Sequence, residues 1–325
     1  MQINQYKYPL IPFRTELQVA PSAIPISHQS TVLMIGSCFS QNIGVRLQNY
    51  KFNCIANPFG TIFHPLAIAK ILSRASHLDY IDPPSLMHSQ GIWVHPDFHS
   101  SLGHTDATQA HTQINQSLER VHDLLKKADF LFITLGTMIG YQMIDTNEIV
   151  ANCHKLPASQ FTKTESTLEE CFSILDPLFV QLWDNNPDLN IVLTVSPVRH
   201  IKDGIIENSR SKAKLIMLCD QLVNSHPKVS YFPAYEWMMD DLRDYRFYEK
   251  DFIHPNEQAI DYIWGKFCHH YFSQDTWLLL HKIEKINRAK QHKPFNPESA
   301  EHQMFLSKLH EEIKALEDEY EWLKF

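Results

Sequence analysis

The chain has 325 residues, of which 44% are hydrophobic, so it is long enough to bury a full core in one large domain, with or without an appendage. Its formal net charge of -8 comes from interspersed acidic and basic residues and includes no basic stripe, which argues against nucleic acid as a partner. The sequence contains no run of about 20 apolar residues and no leader in which a charged start precedes an apolar core, so we expect no membrane partner.

The six cysteines show neither the close pairing of metal ligands nor the density of a disulfide scaffold. We therefore expect reduced, mostly buried thiols. Together with the missing leader and membrane run, this composition predicts a soluble, cytoplasmic protein.

Short apolar runs rich in β-branched residues alternate with stretches of helical spacing along most of the chain. The runs cover residues 31–35, 52–56, 130–135, 191–195 and 229–232, and the helical stretches cover 41–50, 65–73, 112–127, 167–183, 209–224 and 256–272. This rhythm predicts a central parallel sheet that is covered by helices on both faces. In such sheets, ligands bind outside the carboxyl ends of the strands, so the loops that follow the runs are the candidate site.

Two segments depart from this rhythm. Residues 82–105 are rich in Pro, His and Ser and too long for an ordinary connection, which favours a lid or a binding loop. Near the C-terminus, a heptad-like spacing of apolar residues predicts an amphipathic helix that packs back on the domain or pairs with another subunit as a homo-oligomer. We therefore divide the chain into a domain of residues 1–285 and a C-terminal helical extension of residues 286–325.

Three residues near these strand ends have the chemistry of a serine hydrolase. Ser37 follows the first apolar run, where the chain turns from strand into helix, and Asp251 and His254 precede a helical stretch. A serine hydroxyl needs a base within hydrogen-bond reach and a group that orients the base, and these are the roles that His254 and Asp251 are able to fill. Backbone N–H groups at a helix start, including that of Ser37, also suit a developing oxyanion.

Each of these residues has a simpler structural interpretation. Ser37 is also a favoured helix N-cap residue, and the neighbouring Cys38 is of a type that is commonly buried and inert. His95, His99 and His104 lie close together in the long segment, but no cluster of carboxylates or cysteines accompanies them, so we predict no metal site and no cofactor.

The order of short sequence blocks resembles the GSCFA family of bacterial proteins, which is grouped with the SGNH or GDSL-like hydrolases. The blocks are GSCF at 36–39, NPFG at 57–60, TLGT at 134–137, NCHK at 152–155, TVSPVRH at 194–200 and DYRFY at 244–248. Ser40 stands where the family name has alanine. The resemblance implies a three-layer α/β/α, flavodoxin-like fold of the SGNH type with a C-terminal helical extension.

The resemblance also implies roles for individual residues. Ser37 corresponds to the nucleophile, Asp251 and His254 to the Asp-x-x-His block, and Gly60 to a glycine whose N–H joins that of Ser37 in the oxyanion hole. SGNH enzymes usually add an asparagine from a Gly-x-Asn-Asp block after the third strand, where this chain reads Gly136-Thr137-Met138-Ile139. The third oxyanion donor is therefore open between the Thr137 hydroxyl and a side chain from a neighbouring loop, namely Asn57 or Asn152.

These expectations combine into a serine esterase that removes an O-acyl group from a carbohydrate or another small polar substrate. The side chains that we expect at the substrate are Asn57, Trp93, His99, Asn152 and Arg199. For Arg199, substrate recognition and a structural ion pair are both open. Two rival functions are an acyltransferase that uses the same triad and a ligand-binding protein without catalysis.

Overall fold

The structure is a computed structural model that describes residues 14–325 of the chain. Its strands are β1 (Val32–Gly36), β2 (Cys54–Ala56), β3 (Met87–Ser89), β4 (Ile92–Val94), β5 (Phe130–Leu135), β6 (Ile139–Met143), β7 (Ile149–Val150), β8 (Phe161–Glu165), β9 (Asn190–Val195) and β10 (Val229–Tyr231). Its α-helices are α1 (Cys38–Asn49), α2 (Pro65–His77), α3 (Ala107–Leu125), α4 (Leu168–Asn185), α5 (Ile205–Ser225), α6 (Ala234–Glu236), α7 (Glu257–Tyr271), α8 (Gln274–Gln291) and α9 (Ala300–Glu319).

The five apolar runs form one parallel sheet with the strand order β10-β9-β5-β1-β2. Numbered only among themselves, these strands have the doubly wound order 2-1-3-4-5 of a flavodoxin-like sheet. In the register of the three inner strands, Gly36 lies beside Thr134, and Thr134 lies beside Thr194. The predicted α/β fold with a parallel central sheet is therefore confirmed.

Successive side chains of the inner strands point to opposite faces of the sheet, and each face is buried by a different set of helices. Leu33 and its partner in register, Leu131, belong to the core that α2, α3, α4 and α5 cover. Val32 and Phe130 belong to a second core, which α1 and α7 cover. Burial on both faces explains why these strands are continuously apolar in the sequence.

The segment 82–105, which we expected to be a lid or a binding loop, contains regular structure. Strands β3 and β4 pair as an antiparallel hairpin, and Trp93 and His104 exchange two backbone hydrogen bonds. A second small sheet, with the order β7-β6-β8, follows β5 and was not predicted. Its strands are short and most of their residues are only partly buried, so they lack the continuous apolar signal of the central sheet.

The C-terminal segment forms two packed helices. Leu309 and Leu316 of α9, with Leu323 beyond it, form an apolar cluster with Leu279 and Ile283 of α8. The heptad-like segment therefore packs back on the rest of the chain, as one of the two alternatives predicted. Helix α8 itself was missed, and the predicted boundary at residue 286 lies inside it. Within residues 14–325, no helix combines the length and the apolarity that crossing a membrane requires.

All six cysteines are free, and four of them are buried. Desolvation raises the pKa of each thiol, including that of Cys38 beside Ser37. Since the thiolate is the nucleophilic form of cysteine, a raised pKa makes Cys38 a weak nucleophile at neutral pH.

Gly36 is the residue at which the close pairing of β1 and β5 leaves no room for a side chain. It has φ of +152°, and a Cβ atom there would lie 2.4 Å from the carbonyl oxygen of Thr134. We predict that Gly36→Ala lowers the free energy of unfolding by at least about 2 kcal/mol, because backbone strain and overpacking act together. Urea denaturation would measure the change.

Gly265→Ala in α7 is the matched control. A Cβ atom on Gly265 would meet no heavy atom within 4 Å, so the alanine should raise the unfolding free energy by about 0.5–1 kcal/mol through its helix propensity. Equal effects of the two substitutions would show that the β1–β5 contact does not restrict residue 36.

Candidate active site

Ser37 lies at the turn between β1 and α1, where it is the N-cap residue of the helix. Its hydroxyl oxygen accepts a hydrogen bond from the N–H of Phe39 at 3.2 Å and donates to the hydroxyl oxygen of Ser196 at 2.9 Å. Ser196 directly follows β9, so the bond crosses the sheet edge past the end of β5. Ser37 is 2% exposed, and the cap interpretation of this residue is therefore correct, whatever further role it has.

Asn57 holds this turn from the loop after β2. Its side-chain oxygen accepts from the N–H of Gly36 at 2.9 Å, and its side-chain nitrogen donates to the carbonyl oxygen of Ser37 at 3.2 Å. With φ of +46°, Asn57 adopts a left-handed conformation that asparagine tolerates better than most residues. Both polar atoms of this side chain are thus used to hold the serine turn, although we had expected Asn57 at the substrate.

Asp251 and His254 form a close pair in the loop before α7. The His254 Nδ1 atom lies 2.7 Å from Asp251 Oδ2, and Asp251 Oδ1 accepts from the N–H groups of Ile253 and His254. These hydrogen bonds, that of His254 first, lower the pKa of Asp251 to about 2. A carboxylate only accepts hydrogen bonds, so Nδ1 carries the proton and Nε2 is left as the basic nitrogen.

Arg199 joins this loop to the end of β9. Its backbone N–H donates to the carbonyl oxygen of Ile253 at 3.2 Å, and its guanidinium donates to that of Phe252 at 3.0 Å. The guanidinium also lies over the rings of Tyr245 and Tyr248. In the structure Arg199 fixes the backbone of the Asp251–His254 loop, and the substrate contact that we expected of it stays a prediction.

Ser37 and His254 are brought to the same edge of the sheet without being hydrogen-bonded to each other. The segment from Ser196 to Arg199 contacts Ser37 at one end and the His254 loop at the other. In the part of the chain that the structure describes, no hydrogen bond joins Ser37 to His254. The hydrogen-bonded pair of Asp251 and His254 is therefore formed, while the Ser37 hydroxyl is turned toward Ser196.

Three of the expected oxyanion donors, Ser37, Gly60 and Thr137, have partners within the protein. The N–H of Ser37 donates to the carbonyl oxygen of Thr134 at 3.2 Å, and the N–H of Gly60 donates to that of Asn57 at 2.8 Å. The hydroxyl of Thr137 lies 3.0 Å from that of Ser211 and accepts from the N–H of Ile139. An oxyanion hole from these groups would therefore require them to share or exchange hydrogen bonds.

Lys212 of α5 lies behind the strand ends and was missed by the sequence analysis. Its ammonium group donates to the carbonyl oxygens of Gly136 and Ser196, both at 2.7 Å, and it is 1% exposed. Burial lowers the pKa of Lys212 to about 7. The sequence did contain one sign of this buried lysine, because Lys212 lies on the same apolar stripe of its helix as Leu215 and Leu222.

A cavity of about 540 Å³ opens beside Gly136, which is a typical size for a small-molecule site. Phe63 and His200 lie against Gly136 and line this cavity, where their rings are 4.8 Å apart. The Nε2 atom of His200 is buried and has no hydrogen-bond partner among the described residues. The other lining groups are mixed, with apolar side chains such as Ile139 and Phe161 beside polar ones.

Of the remaining residues that we expected to contact a substrate, some line the cavity and one does not. His99 and Asn152 line the cavity, as does Thr137. Trp93 does not line it, and its ring packs instead against His88 across the β3–β4 hairpin. The cavity therefore includes part of the expected binding set, and its position beside Gly136 could not be derived from the sequence alone.

His64, which also lines the cavity, is buried in its neutral form. It is 4% exposed, its Nε2 atom lies 3.1 Å from the carbonyl oxygen of Met138, and burial lowers its pKa to about 4. Burial likewise lowers the pKa of His28, His95 and His200 to about 4. Between these values and about 6.5, these histidines bind more protons in the unfolded chain than in the folded one, so their contribution to stability rises with pH.

We predict that His64→Gln reduces this pH dependence. Each such histidine contributes up to about 1.4 kcal/mol per pH unit to the slope of unfolding free energy against pH, and glutamine removes one contribution while keeping a donor. Urea denaturation of both proteins between about pH 4.5 and about pH 6.5 would give the two slopes. Parallel slopes would contradict a neutral, buried His64, whatever the absolute stability of the variant.

Two family models match the chain. Residues 31–267 match the model of the GSCFA family, and residues 283–325 match that of the GSCFA domain protein, C-terminal domain. No curated protein matches the chain. Because the first match extends from the start of β1 to α7 and includes Ser37, Asp251 and His254, the family assignment applies to the candidate active site itself. The chain belongs to the GSCFA family.

Proposed function

We propose that the protein is a serine-dependent hydrolase that acts on ester bonds, with Ser37 as nucleophile, His254 as base and Asp251 as the group that orients the base. The observation that carries this proposal is the 2.7 Å contact between His254 Nδ1 and Asp251 Oδ2. A pair with this geometry holds one imidazole tautomer and stabilises the imidazolium that forms when the serine is deprotonated. The grouping of the family with SGNH hydrolases, expected from the sequence blocks, agrees with these roles.

In this mechanism, the Ser37 hydroxyl first turns from Ser196 toward His254. The rotation involves a single side-chain torsion, and the Arg199 contacts keep the His254 loop in place while it occurs. His254 Nε2 then takes the proton as the serine oxygen bonds to the acyl carbon, and the imidazolium returns that proton to the departing alcohol. Water, activated by the same imidazole, hydrolyses the acyl-serine.

The cavity beside Gly136 is lined by neither Ser37 nor His254, and it supports, as a neighbouring binding surface, a substrate that combines an apolar acyl group with a polar alcohol. Phe63 and Ile139 offer apolar surface, whereas His99 and Asn152 offer groups that hydrogen-bond to hydroxyls. This mixture suits an O-acyl group on a carbohydrate or on another small polar molecule. Such a substrate needs no cofactor for hydrolysis by the triad.

One observation favours a second candidate, a ligand-binding protein without turnover. The Ser37 hydroxyl and the N–H groups of Ser37 and Gly60 all have internal partners. Each oxyanion donor is worth about 100- to 1000-fold in turnover, so a site that cannot free them would bind an ester without cleaving it. Binding that survives Ser37→Ala, with no turnover in the wild type, would distinguish this candidate from the hydrolase.

We predict that a fluorophosphonate probe forms one covalent adduct on the wild-type protein, at Ser37. Ser37→Ala should abolish the adduct and the hydrolysis of a short-chain p-nitrophenyl ester, because both require the same oxygen. Asp251→Asn should keep the fold but lower turnover by about 100- to 10,000-fold, because the imidazole loses the partner that fixes its tautomer. Intact mass, peptide mapping and ester turnover measure these effects.

Cys38→Ser is the matched control at the neighbouring position. The Cys38 thiol has a raised pKa because it is desolvated, so its replacement should leave the Ser37 adduct intact. Adduct formation at Cys38, or none on the wild-type protein, would refute Ser37 as the nucleophile.

A further inference from the structure

We propose that Lys212 is a positioning residue for the reaction at Ser37, acting through the carbonyl groups of Gly136 and Ser196. This inference rests on the proposed function, because it assigns Lys212 a part in the same reaction. Its starting point is that one ammonium group donates to both carbonyl oxygens at 2.7 Å, at the ends of two neighbouring strands.

Lys212 is an unusual group to bury. Its ammonium lies about 5.8 Å from the ring centroid of Tyr235, and no carboxylate pairs with it among residues 14–325. A buried cation without a carboxylate partner has a large desolvation cost, and an apolar side chain in its place is often neutral or stabilising. Stability alone therefore does not explain why a lysine stands here, which favours a role at the neighbouring site.

The first effect of Lys212 is on the partner of the nucleophile. Its bond to the Ser196 carbonyl fixes the backbone of the residue whose hydroxyl accepts from Ser37 at 2.9 Å. The N–H of Val198 also donates to that hydroxyl oxygen, at 3.2 Å. Lys212 thus fixes the backbone of Ser196, and the Val198 N–H fixes its hydroxyl. This hydroxyl in turn sets the resting position of the Ser37 side chain.

The second effect is on a backbone donor. Since the carbonyl and the N–H of a trans peptide point in opposite directions, the Gly136 carbonyl that faces Lys212 directs the N–H of Thr137 away from the lysine. This N–H donates to no acceptor in the described part of the chain, although Thr137 is only 4% exposed and lines the cavity. Buried N–H groups without a partner are rare, so this one is suited to a ligand oxygen.

α5 holds the same loop with the preceding residue. The hydroxyl oxygen of Ser211 accepts from the N–H of Met138 at 2.7 Å and lies 3.0 Å from the Thr137 hydroxyl. Together, Ser211 and Lys212 fix both peptide groups that flank Thr137. The backbone N–H of Thr137 is therefore the free donor that replaces the Thr137 hydroxyl expected from the sequence.

The test compares the rate at which a fluorophosphonate labels Ser37 in the wild type, Lys212→Met and Lys212→Arg. In this reaction the serine oxygen bonds to phosphorus, fluoride leaves, and His254 takes the serine proton. We expect Lys212→Met to label about 100-fold more slowly, because the Gly136 and Ser196 peptides lose their common anchor. Lys212→Arg keeps a charged donor and should restore most of the rate.

The pH dependence separates this role from simple packing. The charged or titratable groups near the ammonium are Cys38 of α1, Tyr235 of α6 and His200 after β9. Burial raises the pKa of the first two and lowers that of His200 to about 4, whereas the pKa of Lys212 is about 7. The ratio of wild-type to Lys212→Arg rates should therefore fall between about pH 6 and about pH 8, because arginine stays charged, whereas the neutral lysine amine donates the same two hydrogen bonds without the charge that strengthens them.

Lys214→Met, on the same helix, is the matched control, because Lys214 pairs with Glu165 at the surface and should not affect labelling. If Lys212→Met is labelled as fast as the wild type, the inference about Lys212 is overturned and the proposed function is not. The same holds if the ratio of wild-type to Lys212→Arg rates does not change with pH. A wild type that stays unlabelled would overturn the proposed function and this inference with it. If Lys212→Met does not fold, the Lys212→Arg ratio decides the matter.

Discussion

The close approach of β1 and β5 at Gly36 is the contact on which the candidate site depends. With a side chain at this position the strands would have to separate, because the Thr134 carbonyl lies where a Cβ atom would stand. With glycine there, the Ser37 N–H reaches the same carbonyl and continues the ladder to the first residue of the turn. Asn57 then fastens the turn from the other side.

From this contact, the rest of the site follows by parallel pairing. Because β1, β5 and β9 run in the same direction and in register, Ser37, Gly136 and Ser196 emerge at one edge of the sheet. Lys212 approaches that edge from the helix side, and the His254 loop approaches it through Arg199. The candidate site is therefore an arrangement of strand ends held by side chains from outside the sheet.

The sequence predicted those parts of the protein that leave a local signal. Strands buried on both faces are continuous apolar runs, so all five strands of the central sheet were found, whereas β6, β7 and β8 are half exposed and were missed. Asp251 and His254 lie three residues apart, so their contact could be expected from spacing. The internal partners of Ser37 and Thr137, and the position of Lys212 behind two carbonyls, depend on contacts between distant segments, and no pattern within one segment reports them.

The hydrogen bonds by which Arg199 joins the His254 loop to the end of β9 also have a consequence for how the protein is made. Ser37 lies near the beginning of the region that matches the family and His254 near its end, so a growing chain carries Ser37 long before His254 has been synthesised. Contacts between such distant segments form late in folding, since the intervening chain must first be ordered. We therefore expect nascent chains and fragments truncated before His254 to be chemically silent, which confines any activity of Ser37 to molecules in which the His254 loop has joined the sheet edge.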